Sequence, residues 1–286
     1  MAGRPVLRRP VLKWTVPKRP PLHVLRAFGA AGGDPVALSG GQGTSWRAGD
    51  LVLKPADGGS DELAWQARIY SQIVCDGFRI PRPLATPDGS LSVDGWCATE
   101  YVAGRHEQGR WTEIISVGER FHSALRGIRR PRFLDERSSP WAISDRVAWG
   151  EIPSSEFSEV RHLPALAAAR RQLAAPSQLI HGDLTGNVLF HDELAPAIID
   201  FSPYWRPAAY ASAVVVADAL VWESADRQVL NEVSYIYTFG QYLVRALIFR
   251  LVSDWLLSRD TPPEAAASND PWAPVIDVAC RLAAKS

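Results

Sequence analysis

The sequence predicts an α+β protein with two lobes. The N-terminal lobe is a small antiparallel β-sheet with one main helix, and the larger C-terminal lobe is mostly helical. Three observations support this organisation. The chain has 286 residues, and roughly 150 residues per domain gives two domains or lobes. Before residue 101, short apolar strands and glycine turns surround one main helical segment, 60–74, and a shorter helix-like stretch lies at 21–29. After residue 110, most segments carry apolar residues at helical spacing.

The composition is that of a folded globular protein. Hydrophobic residues make up 47% and charged residues 22%, which excludes collagen, a coiled-coil rod and wholesale disorder. The three cysteines are far apart and form no CxxC pair, so a disulfide scaffold or a cysteine-based zinc site is disfavoured. We therefore expect reduced thiols and a cytoplasmic location. Apolar runs fall short of the roughly 18 residues that span a bilayer, so no membrane association is expected.

The charge is unevenly distributed along the chain. The formal net charge is zero, but residues 1–33 hold seven basic and no acidic side chains. The remainder is therefore acidic, which argues against nucleic-acid binding and is compatible with a cationic or neutral small substrate. Residues 1–21 are rich in Pro and Arg without periodicity, and we expect this basic head to be disordered.

A glycine-rich turn and a lysine mark the N-terminal lobe. The turn spans residues 38–46, and its amides and hydroxyls could bind an anion; an ordinary hairpin turn is the alternative. A Walker A loop is excluded because the chain has no Gly-Lys-Ser/Thr. Lys54 lies inside an apolar strand, where an ammonium needs an anionic partner unless it points into water from an edge.

The helix predicted over residues 60–74 follows this strand. Its expected apolar stripe consists of Leu63, Ala67, Tyr70 and Val74. Glu62 in the first turn could pair with Lys54, or it could be an acid favoured there by the helix dipole.

Polar residues cluster between short apolar strands in the second lobe. Asp183 and Asn187 share one loop after a strand ending near residue 180, and Asp200 ends the strand 197–201. Asn187 and Asp200 offer oxygen ligands suited to Mg²⁺. Asp183 could accept a proton from an attacking hydroxyl. We expect His181 to support the loop by hydrogen bonding more than to act directly in the chemistry.

These residues resemble a known family. His181-Gly182-Asp183, Asn187 and Asp200-Phe201 are similar to the catalytic loop and metal-binding strand of the aminoglycoside phosphotransferase superfamily, which is related to protein kinases. The glycine-rich turn, Lys54 and residues 99–102 match that family in order and spacing. The resemblance extends by motif over residues 38–201. Segments 141–149 and 202–207 look most like an actinobacterial branch of the superfamily.

The resemblance implies a protein-kinase-like fold and an active site. Its N-terminal lobe would cover residues 22–98, its hinge 99–104 and its catalytic lobe 105–286. The implied groups that bind ATP are Gly41, Gly43, Thr44, Ser45, Lys54, Glu62, Glu100 and Val102. The implied Mg²⁺ ligands are Asn187 and Asp200, and the implied catalytic residues are the base Asp183 with His181.

The expected activity is transfer of the γ-phosphate of ATP to a hydroxyl of a small molecule, such as an aminoglycoside, a sugar or an amino alcohol. Two departures from the family pattern keep alternatives open. Three residues separate Asp183 from Asn187 where the family has four, and Gln66 stands where the family often has the glutamate that pairs with the lysine. A catalytically silent or regulatory nucleotide-binding protein is therefore the main alternative, and nucleotidyl transfer is a third.

Overall fold

The computed structural model describes residues 19–38, 43–56, 59–259 and 270–285. These residues form two compact units. The first, which we call the sheet unit, comprises residues 19–107 and 186–201, and the second, the helical unit, comprises 108–185 and 202–285. Most of the basic head, residues 1–18, lies outside the described residues. The sheet unit thus takes in residues 186–201, which the sequence assigned to the catalytic lobe.

The elements up to residue 107 are α1 Leu22–Ala27, β1 Val36–Ala37, β2 Trp46–Ala48, β3 Leu51–Pro55, α2 Ser60–Gln72, β4 Pro83–Leu84 and β5 Trp96–Glu100. Those that follow are α3 Trp111–Ala124, α4 Phe133–Glu136, α5 Pro140–Trp149, α6 Leu163–Ala169, β6 Gln178–His181, β7 Val188–Leu189, β8 Ala197–Ile198, β9 Pro203–Arg206, α7 Ala209–Trp222, α8 Phe239–Ser258 and α9 Ala273–Ala283. Short 3₁₀ helices lie at Ser154–Phe157 and Arg227–Val233.

The sheet unit is built on five antiparallel strands in the order β1-β2-β3-β5-β4. The predicted tight turn joins β2 to β3, with Gly49 at a φ of +63° that favours glycine. Buried side chains of α1, including Val24 and Leu25, pack against Leu53 and Ala98 of the sheet. Strands β3 and β5 pair along five residues and place Lys54 opposite Cys97.

A second hairpin, β7 with β8, belongs to the same unit. Arg79 attaches this hairpin to the rest of the unit by main-chain and side-chain hydrogen bonds. Its amide donates to the Pro196 carbonyl and its carbonyl accepts from the Ile198 amide, both at 2.8 Å. Its guanidinium donates to the carbonyls of Ala195 at 2.7 Å and Ala103 at 2.8 Å. One arginine therefore fixes the hairpin to the segment that follows β5.

The helical unit is organised around α8. All residues from Phe239 to Ser253 are buried, and α5, α6, α7 and α9 pack around this helix. A helix that is apolar on every side is typical of the centre of a bundle. Strands β6 and β9 form an antiparallel pair in this unit, with Leu179 opposite Trp205. The predicted α+β fold, with a small antiparallel sheet and a mostly helical remainder, is confirmed.

The apolar stripe expected on α2 is wrong in part. Tyr70 is buried, but Val74 is 78% exposed and lies beyond the end of the helix. The buried face is formed by Trp65, Ile69 and Tyr70, because Phe201 packs between the aromatic rings on that side. Among the described residues, no helix combines the length and apolarity that crossing a bilayer requires.

Candidate active site

A cavity of about 440 Å³ lies within the sheet unit. Its volume is within the range of small-molecule sites. Its apolar walls come from the sheet and from the β7–β8 hairpin, and include Val52, Ala98, Val102, Leu189 and Ile199. Its polar lining includes Ser45, Lys54, Gln66, Thr99, Asn187 and Asp200. A cavity with apolar walls and a few polar groups suits a small molecule that has both apolar and polar parts.

Lys54 and Asp200 form an ion pair in the cavity. Lys54 Nζ donates to Asp200 Oδ1 at 2.7 Å, and the two side chains are 31% and 40% exposed. The anionic partner that a lysine in an apolar strand requires is therefore Asp200, which follows β8. Asp200 has a φ of +48°, a left-handed conformation that Asp tolerates better than most residues.

Aromatic packing holds the residue after Asp200. The ring of Phe201 stacks on Trp65 and Tyr70 of α2, with centroids 6.3 and 6.1 Å apart. Tyr70 is buried, and this burial raises the pKa of its phenol well above the ordinary range. The position of Asp200 is thus coupled to α2.

The end of β5 and the residues after it line the same cavity, through Glu100 and Val102. The amide of Glu100 donates to the Arg82 carbonyl at 2.9 Å, and the amide of Tyr101 donates to the Asp50 carbonyl at 2.8 Å. The backbone group that Glu100 can present to a ligand is therefore its carbonyl.

The glycine-rich turn is described only in part. Gly41 lies outside the described residues, whereas Gly43 has a φ of +69° that favours glycine. Ser45 lines the cavity, and its carbonyl accepts from the Leu38 amide at 2.9 Å. Thr44 is half-buried beside it. A role for these groups in binding phosphate stays a prediction.

Within the helical unit, Asp183 follows β6 and contacts a buried charge pair. Arg250 of α8 donates from Nη2 to Asp183 Oδ1 at 2.6 Å. The same guanidinium binds Asp218 of α7 through Nε at 2.8 Å and Nη2 at 2.7 Å. The side chains of Arg250 and Asp218 are 6% and 1% exposed, whereas that of Asp183 is 32% exposed.

Two buried histidines shape the loop that carries Asp183. His181 Nδ1 accepts from the Asp183 amide at 3.1 Å, and the His181 amide donates to His122 Nε2 at 3.0 Å. Burial, with a contribution from His181, lowers the pKa of His122 to about 3, so this ring is neutral. Gly182 faces the Tyr204 ring so closely that a Cβ would overlap it. His181 therefore supports the loop that carries Asp183, and a catalytic role for His181 stays a prediction.

The structure brings six of the sequence-predicted residues to one cavity: Ser45, Lys54, Glu100, Val102, Asn187 and Asp200. Glu62 lies in the first turn of α2, and its pairing with Lys54 stays a prediction. Asp183 and His181 belong to the helical unit.

Sequence reasoning missed three residues that line the cavity or contact Asp183, namely His106, Asp218 and Arg250, and it noted Gln66 only as a departure from the family pattern. Gln66 and His106 line the cavity, and no local pattern indicated His106. Asp218 interrupts the apolar run 210–222, and a charge in such a run indicates a buried partner. The sequence could therefore have indicated a buried cation near Asp218, but it does not identify that cation as Arg250.

Comparisons with known proteins identify the family of this chain. A model of the phosphotransferase enzyme family matches residues 37–204. The chain belongs to this family. No curated protein matches the sequence significantly.

Solved structures of similar fold include other phosphotransferases. An aminoglycoside phosphotransferase from Alicyclobacillus acidocaldarius is 15% identical with a TM-score of 0.59, and the match covers 93% of this chain and 92% of that one. The AMP-bound spectinomycin phosphotransferase is 12% identical with a TM-score of 0.56, covering 93% and 97%. A choline/ethanolamine kinase family protein from Mesorhizobium loti is 17% identical with a TM-score of 0.53, covering 90% of each. The expected superfamily and kinase-like fold of this phosphotransferase are confirmed.

Proposed function

We propose that this phosphotransferase transfers the γ-phosphate of ATP to a hydroxyl of a small molecule, with Mg²⁺ as the metal. The observation that carries the proposal is the Lys54–Asp200 pair at 2.7 Å in a cavity lined by apolar side chains. Such a cavity can take an adenine between its apolar walls, and the ion pair offers one charge for phosphate and the other for a cation.

Nucleotide binding would exchange the ion pair for ligand contacts. Lys54 would bind the α and β phosphates, and the carbonyl of Glu100 and the amide of Val102 would bind the adenine edge. The side chains of Lys54 and Asp200 are 31% and 40% exposed, so water screens their attraction and separating them costs little. AMP binding by spectinomycin phosphotransferase, a protein of similar fold, supports a nucleotide as the ligand.

The donor set of the cavity fits a magnesium ion. Asp200 supplies a carboxylate and Asn187 an amide oxygen, and both line the cavity. Mg²⁺ is commonly held by one or two protein oxygens, with phosphate and water in the remaining positions. Bound there, the ion would neutralise charge on the phosphates.

Asp183 would accept the proton of the acceptor hydroxyl. In phosphoryl transfer the protein contributes mainly positioning and charge stabilisation, and a carboxylate orients the attacking oxygen. The firm placement of Asp183 by Arg250 and by His181 supports this role.

The test is phosphate transfer from ATP and Mg²⁺ to a panel of aminoglycosides, sugars and amino alcohols. We expect turnover of at least one class and a loss of about a thousand-fold or more in Asp183→Asn, with ATP still raising the melting temperature of this variant. Asp277→Asn, an exposed aspartate on α9, is the matched control and should retain full activity. Equal turnover by Asp183→Asn would refute the assigned base.

The short loop favours a second candidate, a silent nucleotide-binding protein, since three residues instead of four separate Asp183 from Asn187. In that case ATP raises the melting temperature while every acceptor stays unmodified. Lys54→Met tests nucleotide binding, which both candidates share. It should weaken ATP binding about ten-fold or more by removing the cation that binds the phosphates. Lys285→Met, at an exposed position, is the control.

A further inference from the structure

Arg250 binds two aspartates, Asp218 and Asp183, although one carboxylate is enough to balance its charge. Arg250 and Asp218 already satisfy each other through two parallel hydrogen bonds at 2.8 and 2.7 Å. This fork geometry fixes the plane of the guanidinium. The same Nη2 also reaches Asp183 Oδ1 at 2.6 Å, which links an interior pair to a carboxylate that is 32% exposed.

The anchor of this link is rigid. Arg250 and Asp218 lie on α8 and α7, two buried helices that pack against each other. The backbone of Arg250 is fixed in α8 and its guanidinium is fixed by Asp218, so the side chain has few alternative rotamers. It can therefore orient the carboxylate that it contacts. Asp183, by contrast, lies on a loop, where its own backbone restrains the carboxylate less.

Three other titratable residues of the described chain lie beside the Asp183 loop, namely His181, His122 and Tyr204, and their contacts differ from that of Arg250. His181 contacts the amide of Asp183, and His122, which contacts the His181 amide, is neutral because burial lowers its pKa to about 3. Tyr204 of β9 is a phenol whose burial raises its pKa well above the ordinary range, with a contribution from Asp183 itself. Among the described residues, Arg250 brings a positive charge to within 2.6 Å of the Asp183 carboxylate.

We propose that Arg250, held by Asp218, is a positioning residue that orients the Asp183 carboxylate toward the acceptor hydroxyl and keeps it ionised. This inference rests on the proposed function, in which Asp183 accepts the proton. Arg250 itself touches neither the acceptor nor the nucleotide in this role.

The kinetic test uses two matched substitutions on α8. Arg250→Lys keeps a positive charge but loses the fork, since one ammonium cannot reproduce two parallel bonds to Asp218 and a third to Asp183. Arg245→Lys is the control, because Arg245 is also buried on α8, at 4% exposure, and its partners are Gln241 and the Arg171 carbonyl. We expect kcat to fall about ten-fold or more in Arg250→Lys, with the KM for ATP within about two-fold. The folded fraction of Arg245→Lys should keep the wild-type kcat.

A second readout does not depend on activity. Carboxyl signals of ¹³C-labelled aspartate are followed against pH by NMR, and the Asp183 signal is assigned by its loss in Asp183→Asn. Weakening the contact with an opposite charge should move its titration midpoint upward by about one pH unit or more in Arg250→Lys, and further in Arg250→Met. Arg245→Lys should leave the midpoint unchanged.

These readouts separate the outcomes. If the wild-type protein phosphorylates no acceptor while the Asp183 midpoint moves as expected, the proposed function fails and the control of Asp183 by Arg250 stands. If Arg250→Lys keeps both the wild-type midpoint and the wild-type kcat, the inference is overturned and the arginine only stabilises the fold. Should Arg250→Met not fold, Arg250→Lys decides the question alone.

Discussion

The sheet unit and the helical unit each contain an ion pair that includes or contacts a predicted site residue, and the two pairs differ in burial. The side chains of Lys54 and Asp200 are 31% and 40% exposed, whereas those of Arg250 and Asp218 are 6% and 1% exposed. A part-exposed pair contributes about 0–1 kcal/mol to stability. Loss of one partner from a buried pair costs about 3–5 kcal/mol because the other charge is left unpaired. The first pair is therefore suited to exchange partners with a ligand, and the second to stay fixed.

The largest effect expected from this comparison is on stability. Asp218→Asn should lower the free energy of unfolding by about 3–5 kcal/mol, since it leaves Arg250 buried without a full counter-charge. Asp200→Asn should change it by about 1 kcal/mol or less, because the pair is part-exposed and Asn also tolerates the left-handed backbone at this position. Urea denaturation measures both, and equal losses would contradict the comparison.

Gly182 of the predicted catalytic loop and Gly43 of the glycine-rich turn offer a second contrast between the units. Gly182→Ala should destabilise the protein by about 1–3 kcal/mol, because the Tyr204 ring that it would overlap packs edge-on against Phe249, with centroids 5.9 Å apart. Gly43→Ala meets nothing within 4 Å and has only the strain of its φ of +69°, about 1 kcal/mol. Thermal denaturation measures the melting temperatures of both variants. A larger decrease in Gly43→Ala than in Gly182→Ala would contradict the tighter packing inferred around Gly182.

A pH dependence of stability should come mainly from the helical unit. Burial lowers the pKa of His122 to about 3, so the unfolded chain binds a proton near pH 6.5 that the folded protein does not. This contribution to stability is full well above pH 6.5 and falls by about 2 kcal/mol on acidification to pH 5. His122→Gln should remove most of this slope in denaturation measured at several pH values.

His106 of the sheet unit serves as the comparison for that experiment. Burial lowers the pKa of His106 as well, while Asp200 offsets part of the shift. Its contribution has the same sign as that of His122 and should be smaller. If His106→Asn removes more of the slope than His122→Gln, the comparison between the units is wrong on this point.

The smallest expected effect concerns the partner of Lys54. If Glu62 steadies Lys54 when ATP is bound, Glu62→Gln should weaken ATP binding about two- to five-fold, the range of a part-exposed ion pair. Isothermal titration with ATP and Mg²⁺ measures this, and Asp61→Asn, the exposed neighbour in the same turn, is the control. Unchanged affinity in Glu62→Gln would leave Asp200 as the partner that the structure records.

The order of motifs allowed much of the fold to be predicted from the sequence. The hairpin after residue 46, the helix α2 and the strands around residues 180 to 200 follow local patterns of apolar residues and glycine turns. The partner of Lys54 could not be read in the same way, because Asp200 is 146 positions away and only the folded sheet unit brings it near. The sequence indicated that Lys54 needs an anionic partner unless it points into water, and it suggested the nearer Glu62 as that partner.

Tertiary packing also explains the failures on helices. The buried face of α2 packs against Phe201. The spacing of apolar residues within the helix does not predict this contact, because Phe201 is distant in the sequence. In α7 and α8, which are apolar on almost every side, Asp218 and Arg250 were visible as charges in apolar segments. Which charge faces which depends on how the helices pack, so their link to Asp183 emerged only from the structure.

The described residues of the sheet unit come from two stretches of chain, 19–107 and 186–201. Arg79 of the first stretch binds the β7–β8 hairpin, which forms most of the second. A truncated protein that stops before residue 186 would retain the five-stranded sheet yet lack one wall of the cavity, together with Asn187 and Asp200. Isolating this half for ligand studies would therefore require splicing the hairpin back onto it with a designed linker, or reordering the chain by circular permutation.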